Sequence, residues 1–349
     1  MEACFPSDVS VVVITHNAKG NIVPTLESLE FAGCPRTQIT AIDVASIDGC
    51  PDYIEEKWPG VHVIRLASNL GPNPARNIGI RNASTPFVFI MDSDVSVESK
   101  TILVLRSIME TDSSIAIASP VVVYADKPNT IQYAGTGIHF ICEAVNDWQG
   151  KTVEERGTDP KVIGCASACG LLILRDAAMK VGLFDERYFL GKDDGEFTHR
   201  IKIAGFKIME VPEALVHHRH NPRGTNIFYY QLRNRWHFML KNYELRTLIF
   251  LFPILFIHEG LQAMLLVFKG MGKTYIKAIS GLFKMASSLP KDRAFVAGFR
   301  VCRDKDLLLG DPLVVREDFI KSPFLKKGKK LYDNILASYW NLLRKTALS

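Results

Sequence analysis

Two carboxylates stand one residue apart in Asp92-Ser93-Asp94, directly after the apolar run FVFIM. At a strand end such a pair can share a hard divalent cation, and that cation can bridge a diphosphate. The same residues also make an ordinary solvated turn. Their place after a predicted strand favours the cation, because open α/β sheets bind ligands beyond the carboxyl ends of their strands. Asp43 ends an earlier apolar run, in IDVASIDG. A carboxylate there can accept the imide N–H of a pyrimidine base, or cap a turn or helix. In Asn69-Leu-Gly71-Pro-Asn-Pro-Ala-Arg76-Asn77-Ile-Gly79 a glycine, a helix start and Arg76 together suit a diphosphate or the loop that holds it. Neither GxGxxG nor GxxxxGK[ST] occurs.

Gly191-Lys-Asp193-Asp194-Gly-Glu196 crowds three acids at the start of the helical stretch FTHRIKIAGF. Mutual repulsion raises a carboxylate's pKa and a helix N-terminus lowers it. A base for a sugar hydroxyl must be ionised and close to its proton, and helix capping is the competing role for these acids. His217, His218 and His220 follow the apolar stretch IMEVPEALV. A neutral imidazole there can complete a metal shell, and exposed loop histidines have the same pattern.

Alternating elements must position these groups. The periodicity predicts strands over residues 9–15, 38–44, 61–66 and 86–91, and helices over 21–30, 51–58 and 73–82, the last with Pro74 in its first turn. This βαβ rhythm predicts an α/β fold with an open, mostly parallel sheet and right-handed crossovers. Residues 115–225 read as short strands mixed with loops. A change of character near residue 240 suggests two parts, a catalytic domain over 1–240 and a helical region over 241–349.

The chain of 349 residues is 47% hydrophobic and 23% charged, the profile of a folded protein with a substantial core. A net charge of +5 is too small to argue for nucleic acid. The start, MEACFPSD, carries no basic, apolar leader. Seven scattered cysteines predict reduced thiols.

Taken in order, VSVVVITHN, IDVASIDG, NLGPNPARNIGI, FIMDSD, GLFDERYFLGKDDGEFTHRIKIAGF and VPEALVHH resemble the motifs of the inverting family-2 glycosyltransferases over residues 8–240. With YYQLRNRWHFMLKNY after the histidines, the chain is similar to the rhamnosyltransferase-like group. The resemblance implies the GT-A nucleotide-diphospho-sugar transferase fold and an inverting hexosyl transfer. The donor would be a nucleotide diphosphate sugar, with UDP- or dTDP-sugars favoured by Asp43. The acceptor would be a hydroxyl of a lipid-linked molecule or glycan. It also implies roles. Thr15 and Asn17 border the nucleoside, Asp43 contacts the base, Arg76 supports the donor site and Asp92 lies near ribose and metal. Asp94 and His218 hold Mg²⁺ or Mn²⁺, Asp194 (with Asp193 beside it) is the base, and Arg233 and Asn234 lie near the diphosphate. Two departures stand out: Asp43-Val44 replaces the family's Asp-Asn, and Asp193-Asp194-Gly195-Glu196 replaces Glu-Asp-x-Asp.

Two rivals are a sugar-nucleotide pyrophosphorylase and a non-catalytic membrane adaptor on an old transferase fold. The first needs a Gly-rich, Arg-containing loop after strand one, where this chain has THNAKGN; the second has no need of the acids. Residues 248–268 have the length of a membrane span. Pro253 is expected to interrupt them, and His258, Glu259 and Gln262 are costly in lipid. Lysines among apolar residues of 275–285 and 319–332, including Lys277, Lys284, Lys321, Lys326, Lys327, Lys329 and Lys330, suit an anionic interface. The expectation is in-plane attachment at the cytoplasmic face of the cell membrane, against a spanning helix or helices packed on the catalytic domain or in a dimer.

Overall fold

All residues of Val9–Thr15 except Ser10 are β-branched, which suits the crowded interior of a parallel sheet. In the computed structural model this run is β1, with bounds identical to those expected. The structure describes residues 5–219, 227–314 and 322–348. Further strands are β2 (Ile39–Val44), β3 (His62–Leu66), β4 (Phe87–Asp92), β5 (Val95–Val97), β6 (Ile115–Tyr124) and β7 (Lys127–Tyr133). They continue as β8 (Thr136–His139), β9 (Ala144–Asn146), β10 (Lys161–Val162), β11 (Gly170–Leu174), β12 (Lys207–His218) and β13 (Leu308–Leu309). The helices of the first part are α1 (Ile22–Phe31), α2 (Cys50–Lys57), α3 (Pro72–Asn82), α4 (Thr101–Glu110), α5 (Val153–Arg156), α6 (Arg175–Lys180) and α7 (Asp193–Ile203). Then come α8 (Ile227–Asn242), α9 (Leu245–Phe268), α10 (Gly272–Met285), α11 (Leu289–Phe299), α12 (Asp304–Leu307) and α13 (Pro323–Lys345).

The main sheet runs β10-β12-β6-β11-β4-β1-β2-β3, with β5 on β12 and β7 on β6. Strands β3, β2, β1 and β4 are parallel. β11 is antiparallel to both β4 and β6, and β12 is parallel to β6. The ends of β1, β2, β4 and β12 therefore lie along one edge, and Thr15, Asp43, Asp92 and His218 are their terminal or near-terminal residues. Apolar side chains cover both faces: Leu26, Ile54 and Leu105 pack on one, Ile80, Phe184 and Phe197 on the other. Gly79 lets α3 sit directly on β1, since a Cβ there would lie 2.3 Å from Val12 Cγ1.

Three expectations change. The stretch read as short strands and loops contains the two longest strands, β6 and β12, of 10 and 12 residues. Pro212 obscures the second in the sequence, and the ladder accommodates it with a register shift between Val211 and Leu215. His217 and His218 belong to the end of β12 rather than to a following loop; His220 lies outside the described residues. Pro253 does not interrupt α9. It lies on an exposed face together with Ile249, whose carbonyl it leaves without the usual helical donor.

Residue 240 falls inside α8. One apolar core spans that position, joining Phe140 and Ile141 to Phe238 and Met239, to Leu251 and Leu255 of α9, and to Trp340 of α13. Residues 319–321 of the expected basic stretch lie outside the described residues. Cys34, Cys50, Cys142, Cys165, Cys169 and Cys302 are free thiols.

Candidate active site

Arg76 sits on α3, buried, with its guanidinium among three carboxylates, one from the end of β4 and two from the start of α7. Nη2 donates to Asp92 Oδ1 at 3.2 Å, and Nη1 donates to Asp193 Oδ2 at 3.0 Å and Asp194 Oδ1 at 3.3 Å. Asn73 Oδ1 accepts a further bond from Nη1 at 3.1 Å. Burial works against the arginine's charge, but Asp92, Asp194 and Asp193 outweigh it and hold the guanidinium protonated. Burial raises the Asp92 carboxyl above its ordinary range, although Arg76 opposes the rise.

The acids at the start of α7 take three different environments. Asp193 is 9% exposed and ion-paired to Arg76. Asp194 is 30% exposed, with Ser167 Oγ at 3.5 Å from its second oxygen. Glu196 is fully buried and accepts from Arg200 Nη2 at 2.7 Å and Asn242 Nδ2 at 3.0 Å, with Lys241 Nζ at 2.9 Å. Burial alone would raise the Glu196 carboxyl; Arg200 and Lys241 hold it well below the usual range. Glu196 thus knits α7 to α8, and the two aspartates face the sheet's edge.

The helix start is itself held from outside. Lys192 has φ +64°, and its ammonium donates to Cys142 O at 2.9 Å and Glu143 Oε2 at 2.5 Å. Asn234 is fully buried on α8, donating to Leu190 O at 3.1 Å and Gly191 O at 2.7 Å. Arg233 donates to Asn234 Oδ1 and to Arg187 O, each at 2.9 Å. The structure therefore places Arg233 and Asn234 beneath the loop that leads to Asp193 and Asp194.

Thr15 and Asp43 meet where β1 and β2 end: Thr15 Oγ1 donates to Asp43 Oδ1 at 3.1 Å. Ser46 N donates to Asp43 Oδ2 at 2.9 Å. Asn17, at φ +48°, accepts from Ile47 N at 2.9 Å, which joins the loops after the two strands. His16 donates Nδ1–H to Val44 O at 2.7 Å, and Asn69 Nδ2 donates to His16 Nε2 at 3.1 Å. Sequence reasoning missed His16 and Ser46. Their only signal was position in loops directly following parallel strands.

At the other end of the edge, His218 Nδ1–H donates to Gln132 Oε1 at 2.8 Å, and Nε2 lies 3.6 Å from Asp94 Oδ1. His217, its neighbour on the strand, points to the opposite face and approaches Glu98 Oε1 at 3.2 Å. Among the described residues no three His, Cys, Asp or Glu side chains form a metal cage. A nitrogen and a carboxylate in this pairing still fit a hexacoordinate cation that takes its other ligands from phosphate and water. A cavity of about 800 Å³ adjoins this end, lined by Tyr124, Ala125, Asp126, Lys127, Thr130 and Arg219; the sequence carried no sign of it.

Arg76→Met is expected to destabilise the fold by about 3–5 kcal/mol near neutral pH, the cost of leaving the buried Asp193, and the partly buried Asp92 and Asp194, without their cation. Its removal raises the folded-state pKa values of these acids. The deficit is therefore largest above the ordinary carboxylate range and shrinks as pH falls into it and protonates them. Urea unfolding of both proteins across this range checks the sign; a pH-independent deficit would assign the loss to packing instead.

The fold is shared with nucleotide-sugar transferases. The chain superposes on the crystal structure of GalNAc-T7 with UDP, GalNAc and Mn²⁺ at TM-score 0.54 and 19% identity, covering 68% of this chain and 48% of that one. It thus spans about half of that protein. It also superposes on the mannosyltransferase PcManGT from Pyrobaculum calidifontis, in complex with GDP-Man and Mn²⁺, at TM-score 0.50 and 15% identity, over 98% of this chain and 88% of the other. The sequence profile described as Glycosyl transferase family 2 matches residues 10–182. The chain belongs to that family and is a glycosyltransferase of the rhamnosyltransferase-like kind. It is 25% identical over 238 residues to the N-acetylglucosaminyl-diphospho-decaprenol L-rhamnosyltransferase of Mycobacterium tuberculosis, covering 62% of this chain and 78% of the relative. It is 23% identical over 253 residues to the dTDP-rhamnosyl transferase RfbF of Shigella flexneri, covering 68% and 81%.

Proposed function

We propose that the protein transfers a hexose-type sugar, with inversion, from a UDP- or dTDP-sugar to a hydroxyl of a lipid-linked or polysaccharide acceptor at the cytoplasmic face of the cell membrane. The observation that carries this reading is the Arg76 hub, which draws Asp92 from β4 and Asp193 and Asp194 from α7 to one point at the sheet's edge. The relatives named for rhamnosyl transfer, one to a diphospho-decaprenol-linked sugar and one from dTDP, support donor and acceptor of these classes.

Asp194 is the base and Asp193 its buried neighbour. Exposure supports this order: a base must reach the acceptor's hydroxyl, and the Asp194 carboxylate is 30% exposed against 9% for Asp193. Arg76 compensates the negative charge that the two aspartates concentrate. Asp194 takes the hydroxyl proton as the oxygen attacks the anomeric carbon from the side opposite the leaving diphosphate, so one base suffices and no covalent enzyme intermediate forms. Asp94 and His218 would hold Mg²⁺ or Mn²⁺, which supplies neutralisation of the diphosphate's charge. The Mn²⁺ in the two related structures supports a cation of this kind. Thr15, Asn17 and Asp43 line the nucleoside side, Asp43 accepting the imide N–H of uracil or thymine. Arg233 and Asn234 act by holding the loop before Asp193 and Asp194. Residues 1–240 carry the chemistry, and 241–349 carry the membrane contact.

A thermal-shift screen of UDP, dTDP, GDP and ADP with Mn²⁺ tests the reading, since a ligand that binds only the folded state raises apparent stability with its affinity. UDP or dTDP with Mn²⁺ is expected to give the largest shift. No shift with any of the four would contradict it, as would a guanine or adenine preference for the Asp43 assignment.

A further inference from the structure

Helix α9 is turned inside out relative to a helix of a water-soluble surface. It is long and apolar enough to cross a bilayer by length and composition. Its outward face carries Ile249, Phe252, Phe256, Ile257, Leu265 and Phe268, with Phe256 71% and Phe268 81% exposed. Its costly polar groups point inward instead. Glu259 accepts from Trp236 Nε1 at 2.9 Å and is ion-paired with the buried Arg235, both on α8. His258 Nδ1 bonds the Tyr332 hydroxyl of α13 at 2.8 Å. Leu251, Ile254 and Leu255 enter the core with Phe238 and Trp340, and Leu266 packs with Leu232 and Ala278. The catalytic fold therefore grips one side of α9 from Thr247 to Leu266, and a helix so gripped cannot pass into a bilayer without tearing Glu259 from Arg235.

Charge surrounds the apolar face. Residues 245–291 hold Arg246, Lys269, Lys273, Lys277, Lys284 and Lys291 against one acid, the inward Glu259. Lys269, Lys273, Lys277, Lys284 and Lys291 are exposed. Helix α13, tied to α9 also by Tyr339 Oη donating to Phe250 O at 2.5 Å, adds exposed Lys326, Lys327 and Lys330. An outward apolar stripe ringed by lysine is complementary to an anionic bilayer surface, with rings and leucines at the acyl boundary and ammonium groups at the headgroups.

We propose that α9 lies in the plane of an anionic lipid bilayer, its outward face embedded and both of its ends on the same side. This rests on the membrane-linked acceptor reading for its purpose, and it adds which surface makes the contact and how it lies.

The full chain is tested by flotation with vesicles of phosphatidylcholine alone and with phosphatidylglycerol added. Binding is expected to the anionic vesicles, reversible by carbonate. The double variant Phe252→Asp/Phe256→Asp, altered only at exposed positions, is expected to keep its melting temperature and its nucleotide diphosphate affinity and to lose at least about tenfold in vesicle binding. Arg246→Cys and Lys269→Cys, at opposite ends of α9, are then labelled on bound protein with a maleimide that cannot cross the bilayer. Both ends are expected to react. Labelling at one end only would mean a spanning helix and overturn the proposal. So would failure to float, or flotation unchanged in the double variant. Nucleotide binding is measured in solution on the same proteins, so its absence would count against the transferase reading and not against the anchor.

Discussion

Asp194→Asn is expected to remove turnover, with a loss of about 10²–10⁴-fold, and to leave donor nucleotide affinity nearly intact. The amide keeps the shape and can still lie beside Arg76, but it cannot take a proton at neutral pH. The physical contrast with Asp193→Asn is informative. Asp193 is buried against Arg76 Nη1 at 3.0 Å, so its replacement should weaken the ion-pair hub and show first in stability. Steady-state rates and calorimetric nucleotide titration on both variants separate the two roles. If Asp194→Asn keeps more than about a tenth of the wild-type rate, a loss under ~1.4 kcal/mol, Asp194 is not the base and Asp193 becomes the candidate.

Asp94→Ala is expected to abolish transfer and to weaken UDP or dTDP binding by more than about tenfold, because the diphosphate loses the cation that would bridge it to the protein. The cycle with metal removal is the sharper test. EDTA should weaken nucleotide binding to the wild-type protein by a similar factor and have little further effect on the variant. His218→Ala should follow Asp94→Ala in direction, since its Nε2 lies 3.6 Å from the same carboxylate. Calorimetric titrations indifferent both to EDTA and to the Asp94 change would remove the metal from the mechanism and leave Arg76 as the main positive charge near the aspartates.

Local pattern alone determined much of this protein. A β-branched run has few conformations open to it, so β1 could be bounded to the residue. Pro72 and Pro74 in the first turn of α3, and the clustered acids of α7, mark helix starts by local sterics and dipole. That Asp43 and Asp92 end parallel strands follows from the alternation of elements, and with it the edge where a site belongs. The motifs in order carried the family.

Only the tertiary structure decided which charges meet. Arg76 is 16 residues from Asp92 and 117 from Asp193, and nothing in a window of sequence selects those partners over solvent. The motif pointed to Asp194 among the three acids of α7, but their environments were not in the chain. The helix rotates Glu196 into Arg200 and Lys241 and leaves Asp194 at the edge, a sorting made by what packs on each face. The motif pointed to His218 rather than His217, but only β12, which extends through both, shows that strand alternation sends the two to opposite faces. Helix α9 shows the limit most plainly. Its composition fits a spanning segment, and its inward Glu259 is compatible with water-free surroundings only because Arg235, on a neighbouring helix, is there to receive it. Composition records how apolar a helix is; which side its charge faces, and what that charge meets, is a property of the packed chain.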